Sequence, residues 1–417
     1  MKEKIKILVL ADHPFSPSGV GTQTRYMIEH LLKTGDYSFV CFGGAIKHDD
    51  YNPQRYDQYG DDLIVYPVDG YGTQELVRAI VRTEKPDMLW FMTDPRFFPW
   101  LWEIEDEIRS LIPMVYYHVW DNYPYPDYNK IWYDSTDVVV AISKVTHDIV
   151  QNVSPDTETI YHPHAVDPEF FKPLNSEEVS KMRGLSNIPD DKFVVFWNSR
   201  NARRKQSATL IHWFAEFLEK VGNDKAMLIM HTDPHDPNGP NLVMNIDKLG
   251  LTNGEVRFST QKLDFDQLAA LYNMADVTAC ISDAEGFGLS TLESLSCGTP
   301  IIVTMTGGLQ EQVTDGENWF GKGLEPASKV IIGSQEIPYI YEDRINKDDF
   351  MNALTELYEM SSEDRKALGA QGIEHVSKNY NFKKYGERWD EILKKIHAEY
   401  GSWPTRKEPN TWELLEV

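Results

Sequence analysis

The sequence predicts an α/β protein of the doubly wound type, and three stretches carry that expectation. Near the N-terminus, the apolar run Lys4–Leu10 (KIKILVL) leads through a turn-rich loop, Asp12–Gly21, into a helical pattern and a second apolar run, Tyr37–Phe42. From Phe193 to Met274, short apolar runs alternate with helical patterns. Between Val277 and Thr304, two β-branched runs flank Leu289, Leu292 and Leu295 at helical spacing, with Gly298 where a helix would stop. Strands separated by helices need crossovers, and crossovers build parallel sheets. At 417 residues the chain has room for two or three domains.

Composition narrows the class. No apolar run reaches the roughly 18–20 residues of a membrane helix. The N-terminus, MKEKIKILVLADHP, passes straight into a strand pattern and lacks the features of a signal peptide. Cys41, Cys280 and Cys297 cannot all pair, and each falls in an expected strand or helix, which predicts a reduced, cytoplasmic protein. Forty-one Lys and Arg stand against 65 Asp and Glu, a net charge of −24. Such a field keeps the chain in solution and opposes nucleic acid and anionic membranes.

In chain order, Lys4–Leu10 reads as a buried parallel strand. Thr22–Lys33 is a helix with Met27, Ile28, Leu31 and Leu32 on one face. Asp49–Asp62 is polar, tyrosine-rich and irregular. Glu75–Thr83 reads as a helix, Met88–Met92 as a core strand and Phe97–Ile112 as a helix; Met114–Tyr117 is a strand ending at His118. A histidine at the carboxyl edge of a strand in an open sheet stands where ligands bind, although the position also suits a core histidine. Trp120, Tyr123 and Tyr125 follow, and Tyr123-Pro124-Tyr125-Pro126 cannot be helix interior, so these rings are expected on a loop. Exposed rings there would stack on a sugar or base face; the alternative is packing of one domain on another. Val138–Ile142 is a strand, Ser143 caps the next helix, and Asn175–Asp191 reads as a linker.

The second half opens with the strand Phe193–Trp197, then Arg200, Arg203, Arg204 and Lys205, four bases in six positions of an acidic chain. Helices follow at Ser207–Lys220, Leu242–Leu249 and Asp266–Met274, with strands at Ala226–His231 and Glu255–Ser259. Lys329–Arg344 is an extra, partly extended insertion with no role assigned. Helices Lys347–Met360 and Ser362–Asn379 precede Phe382–Tyr400, whose Tyr385, Trp389, Ile392, Leu393 and Ile396 form an apolar stripe. The polar tail 402–417 is expected on the surface.

The chemistry concentrates at Asp283–Leu289, a loop opening onto a helix N-terminus. Unpaired backbone N–H groups and partial positive charge make that end an anion site. Gly286 and Gly288 let the backbone approach closely. Glu285 and Glu293, seven residues intervening, place one carboxylate in the loop and one in the helix's second turn. Glu293 suits a vicinal diol such as a ribose, and Glu285 suits sugar hydroxyls or a developing positive charge. Phosphate at the amides with carboxylates on either side describes a nucleotide-sugar.

The string EGFGLSTLESLSCGTPII resembles the E-x7-E signature of retaining nucleotide-sugar glycosyltransferases of the GT-B fold, family-4 type. The resemblance implies two Rossmann-like domains facing across a cleft. Residues 1–185 would bind acceptor, 186–380 would bind nucleotide-sugar, and 381–417 would form a helix crossing back to the first domain, plus the tail. It implies retaining transfer from a nucleoside-diphosphate sugar, UDP favoured over GDP, to a hydroxyl of a glycan or small glycoside. Arg200 and Lys205 would grip the diphosphate with the Gly286, Phe287, Gly288 and Leu289 backbone. Glu293 would take the ribose, and Glu285 and His118 would act at the sugar. Gly19, in Ser18–Gly21, belongs to a loop that either faces the diphosphate or is a tight turn. Trp120, Tyr123 and Tyr125 would engage the acceptor.

Thr306–Glu311 is similar to the family's G-G-x-x-E loop under the donor sugar, and Ser259–Lys262 is where family members hold the base. Ala165, Ser199, Gln206 and Trp319 stand where glycine is usual. No metal is implied: Asp264-Phe265-Asp266 satisfies the D-x-D of another glycosyltransferase fold, but it precedes a helix and reads as an N-cap. Other readings are the same chemistry on a modified nucleobase in nucleic acid, a sugar-nucleotide epimerase or phosphorylase, or a non-catalytic binder.

Overall fold

The computed structural model describes residues 4–407. The chain divides into two compact units. One comprises residues up to His164, Gly333–Ile340 and the chain from Lys383 onward; the other comprises Ala165–Ile332 and Tyr341–Phe382. The chain therefore changes unit at His164, and 165–185 lies in the second unit. Asn175–Asp191 is largely helix rather than linker: Asn175 and Glu178 close a capping box on the helix Ser176–Leu185.

The first unit is built on eight strands: β1 Ile5–Asp12, β2 Tyr37–Gly44, β3 Gln54–Arg55, β4 Leu63–Pro67, β5 Met88–Thr93, β6 Met114–His118, β7 Val138–Ala141 and β8 Glu158–Tyr161. Their order is β3-β4-β2-β1-β5-β6-β7-β8, parallel except for the short β3, which runs antiparallel to β4. The expected helix Phe97–Ile112 is broken into Pro99–Trp102 and Glu105–Arg109. Phe98, Leu101, Trp102, Ile104 and Ile108 all enter one core cluster. Leu101, Ile104 and Ile108 stand at i, i+3 and i+7, so the apolar spacing continues across the break as it would along one helix.

The helix Phe382–Tyr400 buries Tyr385, Trp389, Ile392, Leu393 and Ile396. Trp389 meets Trp90 edge-on at 5.8 Å, and the Tyr37 hydroxyl donates to Asp390 at 2.8 Å. The tail departs from its surface expectation at Ser402, Trp403 and Arg406. Ser402 donates to Asp87 at 2.8 Å, and the Trp403 indole to the Pro86 carbonyl at 2.9 Å. Arg406 reaches Asp137 at 2.8 Å with both side chains buried. Asp137 already accepts from the Met114 amide and pairs with Arg109, so a buried carboxylate draws the tail inward. Residues 408–417 lie outside those described.

The second unit holds a parallel sheet of β9 Phe193–Asn198, β10 Ala226–His231, β11 Val256–Ser259, β12 Val277–Cys280, β13 Ile301–Thr304 and β14 Gly321–Leu324. The order is β11-β10-β9-β12-β13-β14. Succession reverses between β9 and β12, and a crevice outside the carboxyl ends of such strands is where open α/β sheets bind ligands. Residues of the insertion form a ribbon, β15 Pro326–Ile332 and β16 Ile340–Ile345. Among the described residues no helix is long and apolar enough to cross a membrane.

Candidate active site

After β12 the chain turns at Asp283 and runs through Glu285–Gly288 onto the helix Leu289–Ser296. Gly288 has φ +90°, and a Cβ there would come within 2.5 Å of Leu309 Cδ2. The paired glycines of the next loop lie against it: the Gly308 amide donates to the Glu285 carbonyl at 3.1 Å, and a Cβ on Gly308 would meet Phe287 Cα at 2.7 Å. The Gln312 side-chain amide donates to the Phe287 carbonyl at 2.7 Å. Backbone contact on this side fixes the turn that aims the helix N-terminus.

The loop after β9 supplies the cations, and each carries a carboxylate partner. Lys205 Nζ is ion-paired with Glu285, and Arg204 stands 3.7 Å from the same carboxylate. Arg200 instead pairs with Asp236 at 2.6 Å, its side chain 67% exposed. Arg203 pairs with buried Glu342, NH1 to Oε2 at 3.0 Å. Asp283 accepts from Gln206 at 2.7 Å and faces Arg344 at 3.3 Å, while its amide donates to the Arg204 carbonyl at 2.8 Å. The two loops are thus sewn together by backbone and charge.

Burial would raise the Glu285 carboxyl, but Lys205 and Arg204 outweigh it and hold it below the ordinary range. Burial raises Asp283 to about 6 against Gln206 and Arg344. Glu293 is raised to about 7 by burial, opposed by the Tyr272 hydroxyl donating at 2.6 Å. Asn198, at the end of β9, donates to that hydroxyl at 2.7 Å. A relay therefore runs from strand to tyrosine to Glu293.

In the first unit, Gly19 is the first residue of the helix Gly19–Thr34. Ser18 caps it, accepting from the Gly21 amide at 3.0 Å and donating to Asp12 at 2.5 Å. His118 ends β6 but does not present its ring to solvent: it is fully buried, Nε2 is 2.8 Å from the Tyr133 hydroxyl, and burial lowers its pKa to about 3. A neutral core histidine replaces the expected sugar contact. Trp120 is likewise corrected. It is 3% exposed, clusters with Tyr133, Val139, Ile149 and Val150, and donates to the Asn122 carbonyl at 3.0 Å. Tyr123 is half-buried and Tyr125 is 39% exposed; both hydroxyls donate to Asp148, at 2.8 and 3.0 Å. Asp264 caps its helix in a capping box with Gln267.

Sequence reasoning missed Tyr272, Asp236, Glu342 and Arg344. Tyr272 lies in a helix read correctly as a helix, where a buried tyrosine near a ligand looks like any core ring. Glu342 and Arg344 lie in the insertion, and nothing local marks their partners.

The family described as glycosyl transferases group 1 matches residues 179–375, the stretch holding Arg200, Lys205, Glu285 and Glu293. This segment is similar to the group 1 glycosyl transferases. Over 273 residues, 64% of the chain, it is 26% identical to a D-inositol 3-phosphate glycosyltransferase of Corynebacterium diphtheriae, covering 56% of that protein. The chain spans about half the length of the curated relatives it matches. Among solved structures it resembles a sucrose-phosphate synthase from Thermosynechococcus elongatus, with a TM-score of 0.76, 18% identity, and coverage of 95% of this chain and 100% of that one. It also resembles Anabaena Alr3699/HepE in complex with UDP and glucose, with a TM-score of 0.68, 18% identity, and coverage of 94% and 100%. The fold is GT-B. In the second unit, the cation loop and the signature loop occupy the carboxyl ends of β9 and β12, the two strands at which the sheet order reverses.

Proposed function

We propose that the protein is a retaining glycosyltransferase that moves a sugar from a nucleoside-diphosphate sugar, UDP in preference to GDP, to a hydroxyl of a glycan or small glycoside. The observation that carries the reading is the joining of Lys205 and Glu285 beside the N-terminus of Leu289–Ser296, with Glu293 one turn further on. The amides from Gly286 to Leu289 hold the diphosphate, and Lys205, with Arg200, neutralises charge that grows as it departs. Glu293, oriented by Tyr272, accepts from the ribose, and Glu285 accepts from the sugar. In a same-face transfer the departing phosphate oxygen takes the acceptor proton, so no dedicated base is required. The route uses cations and amides rather than a metal. His118 acts only by packing. UDP bound to a protein of the same fold supports the donor choice, and three free, buried cysteines support a reducing, cytoplasmic setting.

Thermal shift against a panel of UDP- and GDP-sugars identifies the donor, since a ligand at 100 times its dissociation constant adds about 2.7 kcal/mol. Release of nucleoside diphosphate that depends on acceptor, with product anomer read by NMR, then tests the transfer. Inversion at the anomeric carbon, or release to a free epimer, would refute it.

A further inference from the structure

We propose that Glu342 and Arg344, on β16, are positioning residues of the donor site, and that Arg203, held by Glu342, is a third cation for the donor diphosphate. The inference rests on the glycosyltransferase reading above and extends the site to an insertion that the E-x7-E pattern does not include.

Glu342 is 2% exposed, whereas the Arg203 side chain it holds is 61% exposed. The carboxylate is sunk and the guanidinium stands outward. Both Glu342 oxygens take part, Oε2 with NH1 and Oε1 with NH2, so the grip is bidentate and fixes the guanidinium plane. Arg344 NH2 donates to Glu342 at 2.7 Å while NH1 faces Asp283 at 3.3 Å, so one cation serves two buried carboxylates. The Asp343 amide donates to the Asp283 carbonyl at 2.8 Å, tying the strand itself to the start of the signature loop. Strand β16 thus grips both donor loops at once, the cation loop through Arg203 and the signature loop through Asp283. A strand serving only the core would bury apolar side chains there; this one buries charge and spends it on the loops.

The chemistry follows from geometry. An arginine pinned at one edge keeps its outer donors in a fixed plane, next in sequence to Arg204 and Lys205. Planar, bidentate donors suit phosphate oxygens. We assign these donors to the β-phosphate, the sugar-side phosphate, where they would act together with Lys205, which pairs with Glu285.

Calorimetric binding of UDP, GDP, the matching nucleoside monophosphate and inorganic pyrophosphate to the full chain tests the proposal. The variants are Arg203→Ala, Arg203→Lys, Glu342→Ala, Glu342→Gln and the double alanine. Arg203→Ala should weaken nucleoside diphosphate and pyrophosphate about tenfold, leave the monophosphate within about twofold, and be only partly rescued by lysine. Glu342→Ala should show the same selective loss to a smaller degree, Glu342→Gln less still, and the double variant should bind no worse than Arg203→Ala. Wild-type binding with unchanged affinity in Arg203→Ala overturns the proposal. So does an equal loss of monophosphate, or additive losses in the double variant, since a merely structural role moves all ligands alike. Should Glu342→Ala not fold, Glu342→Gln and the two Arg203 variants decide. A wild-type protein that binds neither nucleoside diphosphate overturns the donor reading itself, a result distinct from normal wild-type binding with an indifferent Arg203.

Discussion

Replacing Lys205 by methionine should destabilise the protein in a way that depends on pH. The substitution keeps an unbranched side chain of similar length and removes the charge opposite Glu285. In the folded protein the Lys205 and Glu285 side chains are 11% and 15% exposed. Breaking a fully buried pair by deleting one partner costs about 3–5 kcal/mol. Arg204 remains 3.7 Å from the carboxylate, and Glu285 keeps some contact with water, so we expect the lower figure of about 2–3 kcal/mol at pH 7. Burial raises the Glu285 carboxyl while Lys205, Arg204 and Ser282 lower it, so loss of Lys205 moves the carboxyl upward.

The pH dependence has a definite sign. In the wild type the folded carboxyl lies below its ordinary 4.5, so its contribution is present above that value and is lost as pH falls. In Lys205→Met the carboxyl rises from its wild-type position, so the variant gains less stability than the wild type as pH rises. The gap between the two should therefore be small near pH 4 and full by pH 7.5. Urea denaturation of wild type, Lys205→Met, Glu285→Gln and the double variant at several pH values measures it. The double variant should recover most of the loss, since neither charge is then orphaned. A gap under about 0.5 kcal/mol at pH 7.5 would refute the reasoning, as would a gap independent of pH or a double variant no better than Lys205→Met.

Glu293→Gln should alter the pH profile in the opposite sense. The folded carboxyl sits at about 7 against 4.5 unfolded, so its stabilising contribution is full below 4.5 and is lost as pH rises through 7; the glutamine variant should be flatter, gaining up to about 3 kcal/mol on wild type between pH 4 and 8, and parallel denaturation profiles would contradict this. Trp120→Ala should cost about 3–5 kcal/mol as a large core truncation, whereas Tyr125→Ala should stay within about 0.5 kcal/mol in the same denaturation series; similar losses in both would reverse their placement. Arg406→Ala leaves Asp137 with Arg109 as its one paired cation beside the Met114 amide and should cost about 2–3 kcal/mol by chemical denaturation; no loss would return the tail to the surface.

The elements legible in the sequence are those whose signal is local. Val277–Cys280 and Leu289–Ser296 stand out because apolar spacing and a terminal glycine are written within a few residues. Ser143 and Asp264 are legible as caps because capping needs only a neighbouring turn. The Phe97–Ile112 break is not, because the apolar spacing of Leu101, Ile104 and Ile108 runs across it as along one helix. The same limit divides the site. Glu285 and Glu293 fall in one contiguous string, but Lys205 meets Glu285 across 80 residues and Arg203 meets Glu342 across 139. Only family resemblance brought the first pair into view, and nothing brought the second. Trp120 and His118 show a different failure. An aromatic or imidazole ring after a strand serves equally as ligand platform and as core, and the choice lies in Val139, Ile149 and Tyr133 around it.

The pairing of the cation loop bears on how a diphosphate would bind it. Arg200 is on Asp236, Arg203 on Glu342, and Arg204 and Lys205 share Glu285. A ligand anion reaching Arg200 or Lys205 exchanges one carboxylate for one phosphate oxygen, while Arg203 keeps Glu342 and offers its outer donors, instead of displacing the small ions that surround bare cations. Counterion release is what makes phosphate binding fall steeply with salt, and an exchange of built-in partners releases few. We therefore predict a shallow dependence of nucleoside diphosphate affinity on salt, a slope in log K against log salt of magnitude below about 1, measured by calorimetry from roughly 50 to 300 mM. The exchange also separates the pair productively: Lys205 drawn to the diphosphate leaves the Glu285 carboxylate to the sugar. Removing the partner should then steepen the slope, because Lys205 in Glu285→Gln stands as a bare cation. A steep slope in the wild type, or an unchanged slope in Glu285→Gln, would show that the carboxylates do not hold the cations in reserve for the ligand.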